Sequence, residues 1–319
     1  METRKLGTTE LALSPIGLGT WQFSGGNGLT SKFWNQVDFQ TMKEILRISL
    51  ENGVNWVDTA EAYGNGESER VIGRIIQELE SEGMTAPYIA DKWWPLARTA
   101  RSITTTIDQR LALLQKSTID LYQIHHPTSF SSIEKQVEAM CELVYQHKIS
   151  YVGVSNFSPK QMEKAHLYLQ DAGAQLVSNQ VCYNLVNRKI EQNGVLDTAK
   201  RLGISIIAYS PLQQGLLTGK FHEHPELMRQ LFFLRKYQSG ITEKKLQKTQ
   251  PLIDLLKELG DQYDKTPAQI ALNWLIHSHG ETVFAIPGAT KLHHVEQNIG
   301  STTFKLKPAE RDALSSCKI

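Results

Sequence analysis

Cysteine is scarce in this chain: Cys141, Cys182 and Cys317 are the three among 319 residues, and none sits in a C-x-x-C or other metal-ligand spacing. Three thiols cannot all pair, so a disulfide-stapled scaffold is excluded and a reducing compartment is expected. Net charge is also missing, with 34 Lys+Arg against 33 Asp+Glu. Without a clustered basic excess, neither a nucleic acid nor a membrane surface is an expected partner. No run approaches the ~18 apolar residues of a membrane span, and the opening Met-Glu-Thr-Arg-Lys-Leu-Gly holds no apolar signal core. A soluble, cytoplasmic protein is the expectation. Missing too is a G-x-G-x-x-G turn after the first apolar run, which an open, doubly wound nucleotide-binding sheet would carry there.

What is present is an ordinary globular balance of 40% hydrophobic and 21% charged residues, arranged in a βα rhythm. Short β-branched or aromatic runs predict strands near 14–18, 54–58, 88–92, 119–124, 151–154, 176–181, 204–208 and 283–286. Between and after them, apolar residues recurring every three to four positions predict helices over 36–50, 67–79, 102–114, 132–147, 159–169, 190–202, 250–259, 267–276, 294–299 and 307–315. Eight βα units with no Pro/Ser-rich linker predict one α/β domain over 1–319, a TIM (β/α)8 barrel whose chemistry lies where the strands end. One long stretch, about 213–240, lacks clear periodicity but holds Phe221, Leu231, Phe232, Phe233 and Tyr237. That much aromatic content predicts a lid packed on something.

The strand ends carry Thr20-Trp21, Asp58 with Tyr63, Lys92-Trp93-Trp94, His125-His126, Ser155-Asn156, Gln180, Tyr209-Ser210 and Pro287-Gly288. An acid, a phenol, an amine and an imidazole from neighbouring units are the parts of a proton-transfer site. A phenol ionises near ~10 and is a poor acid at neutral pH unless a nearby cation favours its phenolate. Lys92 can be that cation, and Asp58 can hold it charged. His125 can then bind a carbonyl oxygen. Nothing in the set removes electrons, so reducing a carbonyl needs a hydride donor.

Simpler readings exist for each piece. Asp58 could cap the next turn, and Lys92 could be a Schiff-base lysine, although a carboxylate beside it opposes a neutral amine. His125 and His126 are strand-end neighbours expected to point to opposite sides, and no second pair lies near them at zinc spacing, so no metal is expected. Cys182 reads as a buried thiol.

With these residues in view, the chain resembles the aldo-keto reductase superfamily over essentially its whole length. The resemblance rests on Gly17-Leu18-Gly19-Thr20-Trp21, Asp58 through Tyr63-Gly64, Asp91-Lys92, Asp120 through His125, Gly153 through Phe157, Asn179-Gln180, Ala208 through Leu212 with Gly215 through Lys220, and Ile286-Pro287-Gly288. It implies NAD(P)H-dependent reversible reduction of an aldehyde or ketone. Tyr63 is the implied general acid, with Lys92 and Asp58 lowering its pKa and His125 positioning the carbonyl. Ser155, Asn156 and Gln180 are implied to hold the nicotinamide carboxamide and Tyr209 to stack under the ring. Ser210, Leu212, Gly215 and Lys220 are implied to meet the pyrophosphate and ribose. Thr20, Trp21, Asp58, Gly288, Lys291, His294, Gln297 and Asn298 complete the implied cofactor contacts. Trp21, Trp93 and Trp94 are expected to wall the substrate pocket with Tyr63 and His125, a narrow aromatic site if both rings after Lys92 face inward.

Two departures bear on the cofactor. Relatives often carry arginine where His294 stands and glutamate where Gln297 stands, so the 2′-phosphate of NADP meets a weaker, pH-dependent partner. Lys291 is also expected at the phosphate; NADP(H) is the expected cofactor, with NAD(H) open. The expected partner is a small carbonyl compound, flat or aromatic, pyridoxal-like ones included, and a monomer is expected. The alternative is a non-catalytic, nucleotide-sensing subunit resembling the β-subunits of voltage-gated potassium channels. The complete tetrad, and the lack of a long N-terminal inactivation segment before the barrel, favour the enzyme.

Overall fold

The computed structural model describes residues 1–25, 36–230 and 240–317. Its central sheet has eight parallel strands, β3 (Leu18–Gly19), β4 (Trp56–Asp58), β5 (Tyr88–Trp93), β6 (Ile119–Ile124), β7 (Ile149–Ser155), β8 (Leu176–Cys182), β9 (Ser205–Tyr209) and β10 (Val283–Ala285), hydrogen-bonded in sequence order. Parallel bridges Ile16–Ala285 and Gly19–Gly288 join the two edges. Gly17 N–H donates to the Ala285 carbonyl and Ala285 N–H to the Pro15 carbonyl, both at 2.9 Å, so the sheet closes into the expected barrel. The first predicted strand, 14–18, is therefore mostly seam, with only Leu18–Gly19 in regular ladder.

Helices α1 (Phe39–Glu51), α2 (Glu67–Ser81), α3 (Arg101–Leu114), α4 (Ile133–Tyr145), α5 (Pro159–Asp171) and α6 (Val195–Leu202) pack outside the strands. Capping sets their limits. The Asp38 carboxylate accepts from the Thr41 N–H at 2.9 Å, so α1 starts three residues after the 36 expected from periodicity. The stretch read as one helix over 190–202 is two pieces, a 3-10 turn at Lys189–Glu191 and then α6, because Gly194 adopts φ 83 between them.

A short helix, α7 (Lys220–Glu223), precedes α8 (Glu243–Tyr263), α9 (Pro267–His277), α10 (Leu292–Gly300) and α11 (Pro308–Ser316). Helix α8 begins well before the expected 250 and contains Pro251. Thr242 caps its start by accepting from the Lys245 N–H, ahead of the 250 expected from periodicity. At α9, Thr266 N–H donates to Gln269 Oε1 at 2.8 Å while Gln269 N–H donates to Thr266 Oγ1 at 3.4 Å, a reciprocal box that fixes the start.

One element escaped the sequence pattern. An antiparallel hairpin, β1 (Arg4–Lys5) with β2 (Ala12–Leu13), precedes the barrel; two-residue strands are too short to alternate visibly. Its Leu6, Leu11 and Leu13 share a cluster with the interior residues Trp56, Ala90, Leu121, Val177, Ile207 and Phe284, stoppering the end opposite the strand C-termini. The expected lid is, in its described part, a run of short helical turns at Gln213–Thr218, α7 and Pro225–Gln230. Leu216, Phe221, Met228, Ile241 and Leu246 bury one another there in a small core of their own. The lid residues Leu231, Phe232, Phe233 and Tyr237 lie outside the described residues.

Closing the barrel requires glycine at position 17. A Cβ there would fall 2.3 Å from the indole of Trp56, which is itself fixed by its Nε1–H donating to the Ser14 carbonyl at 3.0 Å and by an edge contact with Phe284. Gly17→Ala should lower unfolding stability by about 1–3 kcal/mol, and Trp56→Leu in the same chain should recover part of that loss. Urea denaturation of the single and double variants checks this; an unaffected single variant would show that the seam is not packed against Trp56.

Candidate active site

The site assembles from backbone first. The Thr59 N–H donates to the Ala90 carbonyl at 2.8 Å, His125 N–H to Trp93 at 3.1 Å and Tyr63 N–H to Ala60 at 2.9 Å, which fixes the β4, β5 and β6 ends and the turn before α2 in one register. Strand alternation then decides side-chain direction. On β5, Ala90 and Lys92 point into the barrel, while Asp91 and Trp93 point out toward the helices.

At the cavity floor Lys92 is fully buried, and its Nζ donates to Asp58 Oδ1 at 2.5 Å and to the Thr59 carbonyl at 2.7 Å. The Tyr63 hydroxyl stands 3.4 Å from the same Nζ. Asp58 Oδ2 accepts from Gln180 Nε2 at 2.8 Å and from Gln123 Nε2 at 3.4 Å, so both carboxylate oxygens are satisfied without solvent. His125 meets Tyr63 edge to face at 5.9 Å and Trp94 at 5.0 Å, and its buried Nδ1 has no hydrogen-bond partner. Trp21 stacks on Tyr63 at 6.2 Å.

Burial alone would lower the pKa of Lys92, but Asp58 and then Tyr63 favour the ammonium and the net shift is upward. His125 is held well below the usual imidazole range, first by burial, then by Lys92 and His126, and is neutral at pH 7. Tyr63 differs from the expectation that Lys92 and Asp58 together lower its pKa. Burial raises it most, Lys92 lowers it, the Asp58 carboxylate raises it again, and the net shift is upward. Asp58 acts on Lys92; on the phenol it works in the opposite sense, because two anions would then share one pocket.

Above this floor lies a cavity of about 660 Å³, lined among others by Thr20, Trp21, Ser155, Asn156, Gln180, Tyr209, Ser210, Leu212, Gly215, Lys220, Gly288, His294, Gln297 and Asn298. One hydrogen-bonded string runs along its wall: Tyr209 OH donates to Asn156 Oδ1 at 3.1 Å, Asn156 Nδ2 to Ser155 Oγ at 3.0 Å, and Ser155 Oγ to the Gln180 carbonyl at 2.9 Å. Asn156 and Ser210 sit at φ 60 and φ 50 where β7 and β9 end, a strained conformation for non-glycine residues that tends to mark functional turns.

Two expectations are corrected, those for Trp93 and for the His125–His126 pair. Trp93 does not wall the pocket: it is fully buried on the outward side of β5, its Nε1–H donating to Ser102 Oγ of α3 at 3.0 Å. Lys291 is the exposed residue preceding α10 and is not on the cavity wall, where Thr290 and His294 face inward, but its charge reaches His294. His125 and His126 both line the cavity, since β6 ends at Ile124 and strict alternation lapses beyond it. Among the described residues no three His, Cys, Asp or Glu side chains come together as a metal set.

Asn184 and Gln22 were missed. Asn184 Nδ2 donates to the Ser210 carbonyl and to Gln213 Oε1, both at 2.9 Å, and so holds the start of the lid. Its signal in sequence was only a polar residue two positions after a strand. Gln22 lines the cavity from the turn after Trp21, with its buried Oε1 unpartnered.

The aldo/keto reductase family model matches residues 15–319. The chain belongs to that family. Its members use nicotinamide cofactors, which makes this aldo-keto reductase an oxidoreductase of carbonyl and alcohol groups. It is 33% identical over 316 residues to a chloroplastic pyridoxal reductase of Arabidopsis thaliana, covering 94% of this chain and 82% of that protein. Among solved structures, the glycerol dehydrogenase of Gluconobacter oxydans superposes with a TM-score of 0.83 at 27% identity, over 99% of this chain and 94% of that one. An aldo/keto reductase of Klebsiella pneumoniae, in complex with NADP and acetate, gives 0.74 at 27% identity over 98% and 94%. No described helix is long and apolar enough to cross a membrane.

Removing Lys92 strands Asp58 in the interior. Lys92→Met should destabilise the fold by about 3–5 kcal/mol, and adding Asp58→Asn should recover a large part of that loss. Denaturation of both variants checks it; equal stabilities for Lys92→Met and wild type would mean that the pair is not desolvated as described.

Proposed function

We propose that this aldo-keto reductase converts an aldehyde to an alcohol with NADP(H), Tyr63 giving the proton to the carbonyl oxygen. The observation that carries the reading is the buried Asp58–Lys92 pair with the Tyr63 hydroxyl 3.4 Å from its ammonium. NADPH supplies the hydride when bound; the proton is the protein's to give. Burial raises the Tyr63 pKa, so the phenol keeps its proton across neutral pH; this weakens it as an acid, and the Lys92 ammonium offsets part of that loss by favouring the phenolate. As negative charge grows on the carbonyl oxygen, Tyr63 donates, and Lys92 offsets the charge that appears on the phenolate. Neutral His125 donates to the same oxygen and orients it. The phenolate recovers its proton from solvent after the alcohol leaves, and the reverse sequence oxidises an alcohol.

The cavity residues fit such a cofactor chemically. Both Gln180 amide protons are committed, to Asp58 and to Gln123 Oε1, so its carbonyl oxygen is left to accept from a carboxamide NH2. Ser155 and Asn156 would hold the same group, and Tyr209, tied to Asn156, would lie against the ring. Ser210, Leu212, Gly215 and Lys220 would meet the pyrophosphate. His294 has its pKa lowered to about 4, by burial first and then by His293, Lys220 and Lys291, so it is neutral at pH 7. Thr290 N–H lies 3.3 Å from its Nδ1, an arrangement that puts the imidazole proton on Nε2, free to donate to a phosphate without adding charge. Gly288, Gln297 and Asn298 would complete the adenosine end. The Klebsiella relative with NADP supports this cofactor.

Trp21 stacked on Tyr63 and Trp94 against His125 form an aromatic wall suited to a flat substrate. A pyridoxal-like aromatic aldehyde fits it, and the Arabidopsis relative is a pyridoxal reductase. Purified protein mixed with pyridoxal or 4-nitrobenzaldehyde should oxidise NADPH in preference to NADH, with Tyr63→Phe reducing kcat by about 10²–10⁴. No oxidation above the Tyr63→Phe control would sink this reading.

A further inference from the structure

Behind Lys92, on the outward side of β5, lies a second buried charge cluster that the proton transfer does not use. Asp91 is fully buried, and neither of its carboxylate oxygens has a hydrogen-bond partner. Glu69 of α2, also fully buried, accepts from Arg110 Nη1 of α3 at 2.9 Å through Oε2, while its Oε1 is unpartnered. Glu61 lies beside them: its Oε1 accepts from the Trp94 N–H and from Arg98, and its Oε2 is 3.6 Å from Arg110. From β6, the residue paired with Asp91 in the sheet is Tyr122, whose buried hydroxyl has no partner either.

Two oxygen acceptors facing each other in a dry layer cannot both be satisfied while both are ionised. Asp91 is the charged neighbour that acts most on the buried Glu69 carboxyl, and a single proton between the two would give partners to oxygens that are orphaned on both side chains. Charge gives the same count. Asp58, Glu61, Glu69 and Asp91 are four carboxyls, whereas the cations set against them are Lys92, Arg98 and Arg110. One carboxyl too many is left, and Glu69 and Asp91 are buried away from solvent that could compensate it.

We propose that Glu69 and Asp91 share one proton at neutral pH, and that Asp91 is a positioning residue whose remaining charge, acting through the barrel wall, adjusts the proton balance that Asp58 and burial set for Lys92 and Tyr63. This rests on the reading of Tyr63 as the proton donor. Both carboxyls are shifted upward, chiefly by burial and then, for Glu69, by Asp91, with Arg110 opposing. The Lys92 backbone N–H pulls Asp91 the other way without completing a hydrogen bond. The charged and titratable groups around Asp91 are Glu61, Glu69, Arg110, Tyr122 and Lys92, and its charge also reaches Tyr63 across the barrel wall. Of these, Lys92 and Tyr63 connect the cluster to the active site, since the Asp91 charge raises the pKa of both.

The variants separate charge from shape. Asp91→Asn puts an amide donor against Glu69, which can then ionise against Arg110, so the negative charge moves away from Lys92. Glu69→Gln puts the donor on the other side and leaves the charge on Asp91, as in the shared-proton state. Infrared spectroscopy of the full chain at neutral pH reads the acid directly, because a protonated carboxyl absorbs apart from a carboxylate and shifts in heavy water. An acid band lost in both variants supports the pair; no such band in wild type, or a band surviving in either variant, overturns it. In the aldehyde assay, the alkaline limb of kcat should move to lower pH by about half a unit in Asp91→Asn and stay in place in Glu69→Gln. A limb unmoved in Asp91→Asn, or moved alike in both, overturns the positioning role. If wild type reduces no aldehyde, the proposed activity fails while the infrared band still decides whether the proton is shared. Should Asp91→Asn not fold, band loss in Glu69→Gln decides alone.

Discussion

The salt link between Asp58 and Lys92 is the interaction on which the rest of the site depends. Both side chains are out of contact with solvent, with relative exposures of 1% and 0%. In such a place an unpaired ammonium would lose its proton and an unpaired carboxylate would gain one. Paired, and with Gln123, Gln180 and the Thr59 carbonyl taking the remaining hydrogen bonds, they keep a fixed positive charge beneath Tyr63. That arrangement contributes little to stability compared with an apolar core of the same volume, so its value lies in the charge it preserves.

The phenol sits between two opposing influences. Burial and the Asp58 carboxylate resist its ionisation, and Lys92 favours it. The result is an acid that keeps its proton in the resting protein and yields it only when a stronger base, the developing alkoxide, arrives. Neutral His125 completes this logic, since a second cation beside Lys92 would draw Tyr63 toward its phenolate before any substrate arrives. The outward cluster of Glu61, Glu69, Asp91 and Arg110 places a further set of charges one strand thickness away. Strand β5 thus carries an inward cation and an outward acid on consecutive residues, Lys92 and Asp91.

Much of this was legible in the sequence because a parallel barrel has a simple rule: side chains at strand ends converge. Asp58, Lys92, His125, Ser155, Gln180 and Tyr209 could be assigned to one face from the βα rhythm alone. Trp93 could not, since its direction depends on the β5 register, and adjacent tryptophans look equivalent until alternation sends one inward and one out. The N-terminal hairpin was hidden by strands of two residues, and periodicity placed the start of α8 at 250 when it lies at Glu243. The sign of the Tyr63 shift was also out of reach, because it depends on how completely the pocket is dehydrated, a property of packing and not of residue type. Asn184 acts through the lid backbone, and nothing in its local sequence marks that role.

The central claim is that a buried, fully charged Lys92 offsets only part of the desolvation of Tyr63, leaving a protonated phenol ready to donate. Carbon-13 labelling of tyrosine at Cζ, with Tyr63→Phe to assign the resonance, measures this in a pH titration without substrate or cofactor. Tyr63 should remain protonated past the ordinary phenol value of about 10, and Lys92→Met should push it higher still. A phenolate at neutral pH, or a titration indifferent to Lys92, would contradict the account.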